Sequence, residues 1–303
     1  MMPAKLMRTT TLSVIALAPL VLVFATAANA ATSITTCPYG ITAPGDYDLD
    51  ADLTSCSTGG ITIEASHVKL KLNTHGLNSG LSSPGPGIYG IFVYSAAGRL
   101  TDVHIKGPGA VQNFDVGIEI DNVDNSEVDG VTSTFNSNDG VETGLGLTGT
   151  VTNFQLTGSV IAFNRYWGVL LGNSTNGHIQ GNVASTNNTG GAGGVAGIGI
   201  ISGSANEVQA NTLVGNNGSG ITAGIGGTYS SSGNHICDNV ASGSSVYGIF
   251  ISAGTGNKIE NNTALGDTAY GETGYDLADA NATCDTDEWH KNTFITSNES
   301  CID

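Results

Sequence analysis

The chain has little charge, few aromatic rings and very little that is basic. Only 12% of its 303 residues are charged and 6% are aromatic. Lys and Arg number 9 against 26 Asp and Glu, a formal charge of −17. So acidic a chain does not suit nucleic acid or anionic lipid as a partner. The low charged fraction, with 39% hydrophobic residues, excludes a disordered polymer. No segment beyond residue 30 shows a long helical period. What is abundant is glycine. There are 44, about twice average usage, and they lack the three-residue period of collagen.

The first thirty residues read as a leader. Lys5 and Arg8 form a basic start, Thr11 to Thr26 is mostly apolar, and Ala28-Asn29-Ala30 fits a small-x-small cleavage site. The apolar stretch is short for a membrane span, and no second span follows. The expectation is an exported mature chain, secreted or periplasmic, beginning at Ala31. Losing Lys5 and Arg8 leaves 7 basic against 26 acidic residues, a net −19. All five Cys survive. Export permits disulfides, and the expected pairs are Cys37–Cys56 and Cys284–Cys301, each close in sequence and near one end. Spacing alone leaves other connectivities open. Cys237 is left over.

The dominant signal is an internal repeat. A Gly followed by an apolar residue, or by Tyr at the last, recurs at 60, 90, 117, 140, 168, 197, 220, 248 and 274, with steps of 23 to 30 residues. A second ladder, Ile105, Val128, Leu156, Ile179, Val208, Ile236 and Ile259, keeps step with it. Asn182, Asn211, Asn239 and Asn262 follow its last four members by three residues. Runs such as Gly-Ile-Phe-Val at 90–93 alternate with period two and read as strands. Gly and Asn punctuate them, as residues that tolerate positive φ at corners. One such unit cannot bury a face alone, but stacked units can, each strand pairing in parallel with its equivalent one rung below. That is a β-solenoid. The leucine-rich consensus is absent, propeller blades need about 40 residues, and no calcium-binding Gly-Gly-x-Gly-x-Asp run occurs.

Asn206-Glu207-Val208-Gln209-Ala210-Asn211 and Asn257-Lys258-Ile259-Glu260-Asn261-Asn262, with the Gly-Ile strands, resemble the repeats of right-handed parallel β-helix proteins. That group includes pectate-lyase-like enzymes and periplasmic NosD-type copper-processing proteins. The resemblance covers about residues 60 to 280 and implies an all-β, single-stranded right-handed coil of about eight to nine rungs. Residues 31–59 and 281–303 would be disulfide-stapled end caps, and the ends resemble those of exported bacterial proteins of this type.

Outward residues of stacked strands form columns about 4.8 Å apart. On the Gly-Ile strand one column runs Thr62, Phe92, Glu119, Glu142, Leu170, Gly199, Thr222, Phe250, Asp276. A second begins Glu64, Tyr94, Asp121. Carboxylates beside rings suit a sugar cleft, so Glu119, Asp121 and Glu142 are the catalytic candidates. Phe92, Tyr94 and Glu64, with Tyr166 and Trp167 of the unusual run Arg165-Tyr166-Trp167, are the substrate-binding candidates. Glu119 and Glu142 would lie about 5 Å apart, as in a retaining glycosidase, and Glu119 and Asp121 about 6.5 Å, nearer an inverting one. The same carboxylates could hold calcium, or simply form a solvated acidic face. On the second ladder His178, Glu207 and His235 occupy successive rungs, with Cys237 two residues on. These are metal-ligand types, although the two His would be nearly 10 Å apart and no tight motif supports them. The motifs that the resemblance would bring for catalysis are absent: no Arg-Pro-x-x-Arg, Gly-His-Gly, Arg-Ile-Lys or Asp-Pro-His-Glu occurs. The expected activity is therefore carbohydrate binding or a structural role by a monomer. The ligand would be a neutral or calcium-bridged glycan, since a polyanion is repelled. A glycan hydrolase or lyase using the acidic cluster, and a NosD-like metal-handling protein, are the alternatives.

Overall fold

The computed structural model describes residues 30–144, 149–225, 229–267 and 274–303. The expected leader lies almost wholly outside them. The described chain is nearly all β, and every pairing between its strands is parallel. Three flat stacks form the walls of one coil. The first is a ten-stranded sheet that begins at Tyr39–Ile41 and Ile61–Ile63 and ends at Tyr247–Ile251 and Tyr275–Asp279. The second and third belong to a 19-stranded sheet. The second stack contains Val68–Lys71, Gln155–Thr157, His178–Gln180, Glu207–Gln209, His235–Cys237, Lys258–Glu260 and Glu288–His290. The third contains Gly76–Asn78, Val160–Ala162, Val183–Ser185, Thr212–Val214, Val240–Ser242 and Thr263–Leu265. Two long strands, Leu100–Gln112 and Val123–Thr134, run through the corner between them. The expected cap at 31–59 itself supplies strands, Tyr39–Ile41 pairing with Ile61–Ile63.

The interior follows the ladders. Ile105, Val128, Leu156, Ile179, Val208, Ile236 and Ile259 pair in unbroken register and are fully buried. The ladder glycines are needed for space rather than for φ. A Cβ on Gly90 would lie 2.5 Å from the carbonyl oxygen of Gly117 and 2.3 Å from Val111, and one on Gly60 2.1 Å from the oxygen of Gly90. Positive φ falls instead on corner residues such as Asn122, Asn153 and Asn261. The last ladder step differs from the expected one. Gly248 abuts Asp276, not Gly274, and Ile249 pairs with Leu277. The interior column needs an aliphatic side chain there, so Leu277 enters and Tyr275 stays outside against Tyr247. Ala278, not Asp276, therefore ends the outward column.

Three columns of inward Asn tie the rungs together. Asn182, Asn211, Asn239, Asn262 and Asn292 form one; each Oδ1 accepts from the backbone N–H and the Nδ2 of the Asn before it, at 2.9–3.1 Å. Asn206, Asn234, Asn257 and Asp287 form a second, and Asn136, Asn164, Asn187 and Asn216 a third. Burying these amides costs nothing extra because each finds partners. Cys37–Cys56 and Cys284–Cys301 are bonded, one near each end.

Candidate functional site

Two outer faces collect chemistry. On the first stack, Phe92, Glu119 and Glu142 occupy successive rungs, as the register requires. Tyr89, Phe92 and Tyr94 form a half-buried stack, with ring centroids 4.5 and 5.4 Å apart. The carboxylates beside them are not a solvated face: Glu119 is 2% exposed, Asp121 1% and Glu142 6%. Asp139, which alternation did not reveal, joins them; its Oδ1 accepts the N–H of Trp167 at 2.8 Å. Asp139 sits in a corner two residues before the strand, where the period of two does not apply.

Burial, and then the neighbouring charge of Glu142, hold the Glu119 and Asp139 carboxyls well above the ordinary range. Glu142 is raised by burial too, although hydrogen bonds with Glu119 and Asp139 pull the other way. Like charges this close in a low-dielectric pocket disfavour one another's ionised forms. Glu119 Oε1 and Asp121 Oδ1 have no hydrogen-bond partner. Glu64 does not join the cluster: it is exposed, and its side chain makes no hydrogen bond or ion pair among the described residues. Trp167 is no open platform. It is 7% exposed, packs with Leu170, Val195 and Ile201, and borders a cavity of about 400 Å³ with Tyr229. Tyr166 is half-buried under the Arg165 guanidinium, in a separate groove of about 360 Å³ with Asp115 and Asn138.

The second stack is charged and open. Glu207 lies between His178 and His235 on neighbouring rungs. Its Oε2 meets His178 Nδ1 at 2.9 Å, and its Oε1 faces His235 Nδ1 at 3.7 Å. His235 Nε2 is held by Glu260 Oε1 at 2.8 Å, which leaves Nδ1 3.9 Å from Cys237 Sγ. Glu207, His235 and Cys237 thus bring three donor atoms within 4.8 Å of one another. His178 stands behind the carboxylate rather than in this set, because its other nitrogen is turned to Gln180. Burial, followed by the charges of Asp238, Glu207 and Glu260, pushes the Cys237 thiol up to about 11. The sequence signal was the His-x-Cys spacing, which puts both side chains on one face of a strand. Among the described residues no other His, Cys, Asp and Glu side chains converge this closely.

A processive coil of parallel strands with these outer faces is a right-handed parallel β-helix. It is similar to the Dettilon tailspike protein (16% identity, TM-score 0.60, covering 86% of this chain and 53% of that one). It is also similar to DFA-IIIase from Arthrobacter chlorophenolicus A6 (12%, TM-score 0.55, 84% and 64%) and to the A-module of the Azotobacter vinelandii mannuronan C-5 epimerase AlgE6 (14%, TM-score 0.52, 89% and 87%). The chain spans about half of the tailspike's length. Residues 28–302 match the family described as periplasmic copper-binding protein (NosD), and the chain belongs to that family. No curated relative matches it. The family is periplasmic, which places the chain outside the cytoplasm. No helix of the described residues is long and apolar enough to cross a membrane.

Proposed function

We propose that the chain is a periplasmic metal-handling protein that holds copper through Glu207, His235 and Cys237. The observation that carries this is the convergence of a thiol, an imidazole and a carboxylate on two adjacent strands. Thiol with imidazole suits copper or zinc and not calcium or magnesium. The family's description favours copper. The spacings of 3.7 and 3.9 Å around His235 Nδ1 are slightly wider than those between donors each about 2.0–2.3 Å from one ion. Glu260 fixes the His235 ring and leaves Nδ1 for the ion, and His178 orients Glu207 through its other oxygen. A bound cation would supply the positive charge that lets Cys237 act as thiolate inside its acidic surroundings. Copper(I), competed against a coloured chelator, is expected to load one equivalent. Cys237→Ser and His235→Ala should each lower the affinity about tenfold or more. Folded protein that takes up no stoichiometric copper, or Cys237→Ser binding like the parent, would refute the reading.

A second reading is carried by the half-buried stack of Tyr89, Phe92 and Tyr94: binding of a neutral or calcium-bridged glycan along the first stack. The outer rings of the stack, Tyr89 and Tyr94, would offer a pyranose the faces turned away from Phe92, which holds them in place. With Glu119, Asp121 and Glu142 roofed over, this face supports binding, not cleavage. Retention on an immobilised neutral glycan, weakened by Phe92→Ala without release of reducing ends, is the measurement.

A further inference from the structure

The third stack differs from the other two in lacking charge. Two outward columns run along it. One passes from Gly76 through Thr132, Val160, Val183 and Val240 to Thr293, nine rungs in register. The other passes from Asn78 through Ala162 and Val214 to Leu265. Neither contains a charged residue, in a chain of formal charge −17. This face also gathers seven of the ten large hydrophobic side chains that are exposed among the described residues. They include the parallel-stacked pair Phe135 and Phe163, 54% and 44% exposed, at its edge. Apolar surface concentrated this way on a soluble domain marks an interaction site.

We infer that this face is where a second copy of the chain docks, two coils lying side by side about a two-fold axis. Three observations select that partner. With a formal charge of −17, two copies repel on average, whereas on these columns no like charges meet. A basic protein or an anionic lipid surface would find no carboxylate or cation to recognise on these columns. The repeat itself is the second argument: β-branched side chains recur every 4.8 Å or so, and a second copy presents the same period, so ridges and grooves mesh along the whole length. The area is the third. Eight steps span roughly 38 Å, and the two columns with the phenylalanine edge and their flanks span about 16–20 Å, or some 600–750 Å² per copy. A stable interface takes about 800 Å² per partner, so reversible dimerisation is the expected outcome.

Sedimentation equilibrium of the full-length mature chain, run over a range of protein and salt concentrations, tests this. The expected result is a monomer–dimer equilibrium that strengthens as salt screens the mutual repulsion. Val183→Lys with Val240→Lys should weaken it about tenfold or more. Gln155→Lys, on the charged second stack, should not weaken it. Both positions of the double variant are open to solvent, so unchanged thermal melting will show that the coil itself is intact. A monomer at every concentration, or a dimer indifferent to the double variant, overturns the inference. So does a monomer that co-sediments with neutral lipid vesicles or insoluble glycan through these same valines, since the face would then belong to another partner.

Discussion

The first and second stacks are built from the same repeat, yet their outer faces obey different electrostatics. On the second stack, charges sit near water and are answered by neighbours: His104 and Lys106 meet Glu127 across strands, and Lys258 meets Glu260 along one strand at 2.7 Å. Such exposed pairs contribute little to stability, typically below about 1 kcal/mol. They leave Glu207 and His235 partly open to solvent, while Cys237 itself is buried. On the first stack, an apolar cluster of Trp167, Leu170, Val195 and Ile201 is buried, and so are carboxyls whose burial raises them well above the ordinary range. Accessibility, together with the basic partners that the second stack provides, separates the two faces. Acidic residues stand on both, but only the covered ones are driven towards neutrality.

The sharpest test of that contrast is a lysine placed on each face. Leu170 is 1% exposed beside Glu142, and Leu170→Lys should cost about 3–5 kcal/mol in urea unfolding, the range for a buried charge without a designed partner. Gln155→Lys on the second stack should stay within about 0.5 kcal/mol. Equal losses would erase the distinction. A pH series comes next. Asp267 and Asp287 are held at about 6, chiefly by burial, and Glu119 and Asp139 are raised in the same sense. A carboxyl whose folded value is raised contributes stability when protonated and loses it as pH rises through that value. The melting temperature should therefore increase as pH falls from neutrality through about 6. Glu119→Gln should reduce the slope. Further acidification reverses the trend. Asp124, lowered by hydrogen bonds from Arg99, and Glu127, whose partial burial is outweighed by Lys106 and His104, lose their contribution as they protonate. A flat profile between neutrality and pH 5 would contradict the buried-carboxyl description. The smallest effect belongs to Phe92→Ala: a loss of glycan affinity worth about 0.5–1.5 kcal/mol, with metal binding untouched.

The coil was legible because its interior is periodic. Ile105 to Ile259 announce their column by spacing alone, and the same spacing put Glu119 beside Glu142 and Glu207 between two His. What escaped lies where period gives way to local packing. Asp139 sits in a corner. Leu277 displaces Tyr275 because only the aliphatic side chain fits the interior, so a register read from Gly274 comes out two residues off. Exposure was also illegible. Glu119 and Glu207 both point outward from their strands, yet one is buried and the other is not, which the period of two does not reveal. His178 was grouped with Glu207 and His235 by rung, while the donor set formed with Cys237, because two residues on one strand stand closer than two on alternate rungs.

The Asn columns give the coil a chemical direction. Each Asn offers its Oδ1 towards the N-terminal end and its backbone N–H and one amide N–H towards the C-terminal end, while the amide also donates back to a carbonyl of an earlier rung. In polymer language, the C-terminal end is the growing end: an unfinished rung there would display donors awaiting the next acceptor, and another chain's strands could supply it. The column through Asn257 is closed by Asp287, which accepts both donors on Oδ1 and has no amide to pass on; its Oδ2 is taken by Asn281. The column through Asn262 stops at Asn292, whose N–H groups turn to the backbone oxygen of Asp303. A carboxylate and a backbone carbonyl thus take the place of the next Asn in these two columns. A rung whose donors are already satisfied offers an added strand nothing to accept, which disfavours head-to-tail addition into an open-ended fibre.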